Sequence, residues 1–191
     1  MKKVILASQS PRRINLLKQV GFEFKAEPSS YEEENHLDMA PKDLTEYLSL
    51  KKAEDVAEKY KGSIIIGADT IVLIDGEVLG KPKTPENAKR MLEKLSGKAH
   101  SVVTGFTIID AETGKHVSKS IETKVYFKKL SDEEINNYVA TGEPLDKAGA
   151  YAIQGRAGLF VEKIEGDYFN IVGLPIFALA DELKNFGIEI L

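Results

Sequence analysis

The chain of 191 residues contains no cysteine, which removes several kinds of chemistry at once. Disulfides, thiolate nucleophiles, zinc–thiolate sites and iron–sulfur clusters all need the thiol group of cysteine. Any bound metal must therefore be held by oxygen or imidazole. The three histidines, His36, His100 and His116, lack the short spacings of a zinc site, so a hard, oxygen-bound cation such as Mg²⁺ is the expected metal.

Long apolar runs and an excess of positive charge are also lacking. No run approaches the roughly 18 apolar residues of a membrane-spanning helix, so we expect a soluble, cytoplasmic protein with no membrane partner. The formal net charge of -4 argues against nucleic acid as the main partner, because proteins that bind a phosphate backbone usually carry a basic excess. A chain of 191 residues suffices for one domain, or for two small lobes around a cleft.

Strand and helix patterns alternate along the chain. Continuous apolar runs predict covered strands, an Asp-Gly turn predicts a hairpin, and Ser131 with Glu134 forms a capping box that starts a helix. Hairpins need antiparallel neighbours, whereas the first strand–helix units favour parallel ones, so the predicted fold is α/β with a mixed, twisted central sheet flanked by helices. The predicted strands cover residues 2–7, 22–26, 63–67, 71–74, 77–79, 101–110, 115–127, 150–153 and 159–164, and the predicted helices cover 11–20, 40–60, 84–95, 131–140 and 175–185.

The segment Ser8–Arg13 joins the first predicted strand to the first helix and reads Ser-Gln-Ser-Pro-Arg-Arg. Backbone N–H groups and the positive end of the helix dipole favour an anion at such a junction. Helix capping alone accounts for Ser10 and Pro11. It does not require two adjacent arginines, whose forked donors suit bidentate phosphate binding. Phosphate binding and a plain helix cap are both open at this point.

Asp69 directly follows a buried apolar strand. An unpaired carboxylate is costly to desolvate there unless a cation or a donor is close, which favours a metal ligand or a general base. The alternative is a turn aspartate that bonds its own backbone. The strand is predicted to end at Ala68-Asp69-Thr70, so Ser8, Arg12 and Asp69 should face one crevice at the carboxyl ends of the strands.

Two later positions are weaker candidates. Lys81 lies between Gly80 and Pro82, which restrict the backbone, but a lone loop lysine is usually solvated. Gln154 follows a segment rich in small residues, and its amide could match the polar edge of a base. A tight connection with a structural glutamine is the alternative for this segment.

Six blocks taken in order resemble the Maf family over residues 4 to about 178. Each block alone is modest, but their order is specific. The blocks are Ser8-x-Ser10-Pro11-Arg12-Arg13, Ala68-Asp69-Thr70, Gly80-Lys81-Pro82, Ser96-Gly97-x-x-His100-x-Val102-x-Thr104-Gly105, Asp146-Lys147-Ala148-Gly149-Ala150-Tyr151 with Gln154-Gly155, and Asn170-x-Val172-Gly173-Leu174-Pro175.

The resemblance implies a single catalytic domain over residues 1–191, similar in fold to the inosine triphosphatase superfamily. It implies hydrolysis of a nucleoside triphosphate to the monophosphate and pyrophosphate with a divalent cation, Mg²⁺ or Mn²⁺. Family members with residues like Arg12, Thr70 and Gln154 at the specificity positions act on dTTP and UTP, including modified uridine forms. Members are also associated with inhibition of septum formation, so a non-catalytic nucleotide- or nucleic-acid-binding regulator of cell division is the alternative function.

The resemblance also implies roles for single residues. Asp69 matches the proton acceptor and a metal ligand, and Glu33 matches a second metal ligand. Lys52 matches the family lysine better than Lys51 does. The oligomeric state stays open, with a homodimer among the expectations. The implied substrate-binding residues are Ser8, Arg12, Arg13, Lys52, Thr70, Lys81 and Gln154.

Overall fold

The computed structural model describes residues 2–32 and 39–190. Strands and helices alternate in these residues, as the sequence predicts. The strands are β1 (Val4–Leu6), β2 (Lys25–Ala26), β3 (Ile64–Ile74), β4 (Glu77–Leu79), β5 (Ala99–Asp110), β6 (His116–Phe127) and β7 (Val161–Glu165). The α-helices are α1 (Pro11–Gln19), α2 (Pro41–Ala57), α3 (Pro85–Leu95), α4 (Asp132–Ala140), α5 (Tyr168–Val172) and α6 (Ile176–Leu183).

The strands of the described residues form one mixed sheet. Its order is β2-β1-β3-β5-β6-β7, and β4 pairs with β3 outside this path. β1 is parallel to both β2 and β3, whereas β3–β4 and β6–β7 are antiparallel pairs. The predicted α/β class, with a mixed sheet and flanking helices, is confirmed.

The helix starts follow the local chemistry of the chain. The Thr84 hydroxyl accepts a hydrogen bond from the backbone N–H of Asn87 at the start of α3. At the start of α4, Ser131 and Glu134 form the predicted capping box. Pro11, Pro41 and Pro85 occupy the first positions of α1, α2 and α3, where the missing proline N–H is not needed.

The chain divides into two compact units. The first comprises Met1–Asp69, Thr104–Ile121 and Gly173–Leu191, and the second comprises Thr70–Val103 and Glu122–Val172. The single catalytic domain expected over residues 1–191, and its cleft, stay predictions. None of the helices in the described part of the chain has the length and apolar character that crossing a membrane requires.

Each unit has its own apolar core. In the first unit, α2 buries Ala53 and Val56 against Ile5, Ile65 and Ile109 from the sheet. In the second unit, α3 buries an apolar face at helical spacing. That face joins strand, helix and loop side chains in one cluster, which includes Ala88, Leu92, Leu95, Val125, Phe127, Tyr138, Tyr151 and Phe160.

β3 is longer than the sequence predicts. The expected strand end at Ala68–Thr70 is wrong, because one strand runs from Ile64 to Ile74. Its beginning pairs with β1, and Val72–Ile74 pair with β4, so hydrogen-bonding partners are provided at both ends of the strand. Asp69 therefore lies within a strand, and the alternative of a turn aspartate is wrong.

Two other predicted strands differ from the structure. No strand covers 150–153 in the described residues; a 3₁₀ turn at Ala148–Ala150 lies there instead. Gly149 and Ala150 both have positive φ, at 66° and 62°, which breaks an extended run. The strand expected at 22–26 shrinks to Lys25–Ala26, since β1 supplies only two register partners. Helix α5 was not among the predicted elements.

Candidate functional site

The junction between β1 and α1 holds the Ser8 hydroxyl in place. Ser10 occupies the N-cap position and Pro11 the first helical position, as the sequence predicts. Within the described residues, however, the Ser10 hydroxyl makes no capping hydrogen bond. Instead the Ser10 N–H donates to Ser8 Oγ at 3.2 Å, and Ser8 is only 8% exposed. Ser8 is thus the hydroxyl that this turn orders.

The two adjacent arginines lie in different surroundings. The Arg13 guanidinium donates from Nε to the Gly173 carbonyl oxygen at 2.7 Å, and its Nη1 lies 3.5 Å from Ser8 Oγ. Arg12 is half-buried on the same helix. Because Gly173 belongs to the last motif block, the first and last blocks meet at Arg13. This places a positively charged group beside Ser8 at the helix start.

Asp69 forms an ion pair with Lys52. Lys52 Nζ on α2 lies 2.5 Å from Asp69 Oδ1 on β3, and the side chains are 16% and 10% exposed. The ammonium group offsets the cost of burying the carboxylate. The neighbouring Lys51 pairs instead with Glu54, at 2.8 Å. The preference for Lys52 over Lys51 therefore agrees with the geometry.

The register of β1 and β3 places Ser8 and Asp69 just beyond the last residues that pair between these two parallel strands. Leu6 is the register partner of Ile66, and the Ala7 N–H donates to the Ile66 carbonyl at 2.8 Å. Ser8 and Asp69 follow that last pair by two and three residues respectively. Both are buried. Whether Ser8, Arg12 and Asp69 face one crevice stays a prediction, because β3 continues beyond Asp69 to Ile74.

The remaining predicted site residues fall into two groups. Thr70, Lys81 and Gln154 belong to the second unit. Thr70 is half-buried on β3, Lys81 is exposed in the loop after β4, and Gln154 is exposed in the segment before the turn at Arg156–Phe160. Their roles stay predictions. Glu33, the expected second metal ligand, lies outside the described residues.

The second unit contains a buried polar cluster that the residue-level reasoning missed. His100 Nε2 and the Tyr151 hydroxyl are 2.7 Å apart, and both rings pack edge-to-face with Phe127. Burial lowers the pKa of His100 from 6.5 to about 4 and raises the pKa of Tyr151. Asn170 Nδ2 donates to Thr123 Oγ1 at 2.8 Å. His100, Tyr151 and Asn170 therefore stabilise the fold of the second unit. Their presence in the motif blocks is the sequence signal that could have identified them.

The donor set for a divalent cation rests on Asp69. Within residues 2–32 and 39–190 no group of three or more histidine, aspartate or glutamate side chains is arranged to hold a metal ion. Mg²⁺, however, commonly takes one or two carboxylates and completes its shell with water and substrate phosphate oxygens. Asp69 supplies one such carboxylate, which a cation must share with the Lys52 ammonium at 2.5 Å from its Oδ1. The residues present are therefore compatible with a cation that binds together with a phosphorylated substrate.

Comparisons with known proteins agree with this picture. A family model described as Maf-like protein matches residues 3–186. The dTTP/UTP pyrophosphatase of Methanosarcina mazei is 50% identical over 191 residues, which cover 100% of this chain and 97% of that protein. The dTTP/UTP pyrophosphatase of Alkaliphilus oremlandii is 52% identical over 193 aligned positions that cover 100% of both proteins. A solved HAM1 protein from Coxiella burnetii shares the fold, with a TM-score of 0.56 and 16% identity over 97% of this chain and 100% of that chain.

Proposed function

The chain belongs to the Maf family, and from that premise we propose that it is a nucleoside triphosphate pyrophosphatase. We propose dTTP and UTP as substrates, with modified uridine triphosphates as further members of the same class. The products are the nucleoside monophosphate and pyrophosphate. Relatives that align over the whole chain and carry the name dTTP/UTP pyrophosphatase support this choice. The structural observation that most supports it is the buried Lys52–Asp69 ion pair. Asp69 follows the residues of β3 that pair in parallel with β1.

Asp69 is the proposed proton acceptor. Water attacks the α-phosphorus, a new phosphorus–oxygen bond forms, and the bond from that phosphorus to the bridging oxygen breaks. Asp69 orients the water and receives its proton, while pyrophosphate leaves with the electron pair of the broken bond. The nearby Lys52 ammonium keeps the carboxylate in one orientation. Lys52 is also a proposed contact for the negatively charged substrate.

The start of α1 is the proposed phosphate subsite. The ordered Ser8 hydroxyl, the Arg13 guanidinium and the helix N-terminus supply hydrogen-bond donors and positive charge. Charge that develops on the departing pyrophosphate is stabilised most by donors that are already in position. Arg13 is such a donor, because the Gly173 carbonyl holds its guanidinium.

The remaining binding residues are proposed on the family pattern. Lys81 contacts phosphate, and Arg12, Thr70 and Gln154 select the base. A site that hydrogen-bonds a pyrimidine edge rejects purines by leaving polar groups unpaired. Asp69 and Glu33 are the residues that would hold Mg²⁺ or Mn²⁺. When bound, such a cation supplies charge neutralisation and lowers the pKa of water.

A product assay with a nucleotide panel tests this function. The purified protein is incubated with dTTP, UTP, CTP, ATP and GTP in the presence of Mg²⁺ or Mn²⁺, and the products are separated. Monophosphate with pyrophosphate, formed fastest from dTTP and UTP, is the expected result. Diphosphate with phosphate would indicate a different hydrolase. No turnover, despite nucleotide binding, would favour the regulator of cell division.

A further inference from the structure

Helix α2 approaches the sheet unusually closely at two glycines. A Cβ atom placed on Gly67 of β3 would lie 2.2 Å from the Ser49 carbonyl oxygen and 2.9 Å from Ala53 Cβ. A Cβ atom on Gly105 of β5 would lie 2.3 Å from the Thr45 carbonyl oxygen. Neither glycine has a positive φ, so the missing Cβ matters for space rather than for backbone conformation. The two glycines therefore set how near the helix backbone can come to β3 and β5.

The contact at Gly67 lies next to the Lys52–Asp69 pair. Gly67 and Asp69 are two residues apart on one strand, so they face the same side of the sheet. On the helix, Ser49, Lys52 and Ala53 are spaced by three and four residues and share one face. The close contact of α2 with Gly67 therefore lies within one helical turn of Lys52. We expect a change in the distance between helix and strand to move Lys52 relative to Asp69.

A chain of buried hydroxyl groups limits sliding of the same helix. Ser49 Oγ donates to the Glu46 carbonyl at 2.8 Å and shares a hydrogen bond with Thr107 Oγ1 at 2.7 Å. Thr107 Oγ1 in turn shares a hydrogen bond with Ser118 Oγ on β6, also at 2.7 Å. Ser49 and Thr107 have no exposed surface. Close packing alone would permit small movements along the helix axis, whereas directional hydrogen bonds select one register.

We propose that Gly67, Ser49 and Thr107 are positioning residues for the reaction. They fix the distance between α2 and the sheet and the position of α2 along its own axis, and both keep Lys52 Nζ next to Asp69 Oδ1. None of the three touches the reacting atoms in this proposal. They act through Lys52 and Asp69, and the effect on turnover rests on the proposed function. A misplacement of about 1 Å in a catalytic group can cost 10²-fold in rate.

A purely structural role would give a different result. In that case each variant would lose stability, and its turnover would follow only the amount of folded protein. A positioning role lowers kcat of the folded enzyme far more than it changes KM, because Lys52 is only one of several proposed substrate contacts and the phosphate subsite at Ser8 and Arg13 is not altered. The two roles are therefore separated by kcat measured on folded protein.

Two substitutions at Thr107 isolate the hydroxyl. Thr107→Val keeps the shape and removes the hydrogen bonds to Ser49 and Ser118, whereas Thr107→Ser keeps the hydroxyl and removes a methyl group. We expect Thr107→Val to lower kcat roughly 5- to 10-fold with KM within about 3-fold, and Thr107→Ser to restore kcat to near the wild-type value. Val56→Ala on the same helix is the matched control, since it removes buried methyl groups without touching the hydroxyls or the glycines.

Gly67→Ala tests the distance between helix and strand. The new methyl group forces a movement of more than 1 Å against the Ser49 carbonyl, because its carbon would lie 2.2 Å from that oxygen and ordinary van der Waals contact begins at 3.4 Å. We expect kcat to fall about 10²-fold. A crystal structure of this variant should show Lys52 Nζ displaced from Asp69 Oδ1. If the variant does not fold, the pair of Thr107 variants decides the question.

Several outcomes would overturn the proposal. One is Thr107→Val with wild-type kcat; another is Val56→Ala with as large a fall in kcat at the same loss of stability. A third is a folded Gly67→Ala variant in which the separation of Nζ and Oδ1 is unchanged. This separation does not depend on turnover. If the wild-type protein hydrolyses no nucleotide, the proposed function fails, and the separation in the variants still decides the positioning role.

Discussion

Asp69 combines the local cost of a buried carboxylate with the catalytic role that we propose for it. A carboxylate within a strand, 10% exposed, would be unfavourable without the Lys52 ammonium at 2.5 Å. Arg13 is similar, since the Gly173 carbonyl and the Ser8 hydroxyl hold its guanidinium beside a helix start. The sequence alone predicts Asp69 and Arg13 as candidate site residues. Their partners could not, because Lys52 and Asp69 are separated by 17 positions and meet only when α2 packs on β3.

We predict that Asp69→Asn lowers kcat about 10²- to 10⁴-fold while the protein stays folded. An amide keeps the shape of the side chain but is a far weaker proton acceptor. Steady-state hydrolysis of dTTP, together with circular dichroism, measures both effects. Asp75→Asn is the matched control, because Asp75 lies in the exposed turn between β3 and β4 and pairs with Lys98. Near-normal turnover in Asp69→Asn would remove this residue from the mechanism.

We predict that Gln154→Ala changes the ranking of substrates more than it changes phosphate binding. Loss of the amide removes hydrogen bonds to the pyrimidine edge, so the ratio of kcat/KM for UTP over ATP should fall about 10-fold or more. Inhibition by pyrophosphate, which has no base, should stay within about 2-fold. An unchanged ranking of the nucleotides would refute the assignment of Gln154 to base selection.

Secondary-structure elements here follow local signals where those signals are strong. The capping box at Ser131 and the Asp75-Gly76 turn each involve residues within a few positions, and each forms as predicted. The N-cap at Thr84, which the structure adds, is equally local. The strand predicted at 150–153 fails for the opposite reason. Gly149 approaches the side chain of Val72, a contact from a distant part of the chain, and both Gly149 and Ala150 adopt positive φ. Periodicity in one segment carries no information about such a contact.

We predict that His100 on β5 makes stability fall in mild acid. Burial lowers the pKa of His100 from 6.5 to about 4. Between pH 6.5 and 4 the His100 imidazole is therefore protonated in the unfolded chain but mostly neutral in the folded chain. Stability therefore falls as the pH drops through this window, by about 3 kcal/mol at pH 4 from this residue alone. Urea unfolding at several pH values measures the fall.

The His100→Gln variant should lose this part of the pH dependence. An amide can still bond the Tyr151 hydroxyl, which stabilises the cluster at neutral pH. His116→Gln serves as the control, because His116 is exposed at the start of β6 and its replacement should leave the wild-type slope. Equal slopes in wild type and His100→Gln between pH 6.5 and 4 would contradict the prediction.

At the scale of the whole molecule, the match to the Maf family spans residues 3–186 and so includes both compact units. Lys119 of β6 pairs with Glu182 of α6, and this hydrogen-bonded ion pair holds the pKa of Glu182 below its usual value. Lys2 likewise bridges Asp110 and Glu112. Both of these ion-paired groups lie within the first unit.

We predict that chelation abolishes turnover but hardly changes the stability of the nucleotide-free protein. A cation held by few protein ligands binds tightly only together with the phosphates of the substrate, so it adds little to folding in their absence. Hydrolysis of dTTP with excess EDTA should fall to background and return with Mg²⁺ or Mn²⁺. The melting temperature with and without EDTA should agree within about 1 °C. Full activity in EDTA would exclude a divalent cation from the reaction.

Taken alone, the amino-acid sequence determined the α/β alternation, the capping box at Ser131, the hairpin turn and the order of the motif blocks. These features depend on neighbouring residues, whose spacing along the chain also fixes their spacing in space. The tertiary structure decided that β3 continues through Asp69, that Lys52 is its partner, and that His100 bonds Tyr151 from 51 positions away. Such contacts arise when separate segments pack on one sheet, and the close approach of α2 at Gly67 shows how a missing side chain makes that packing possible.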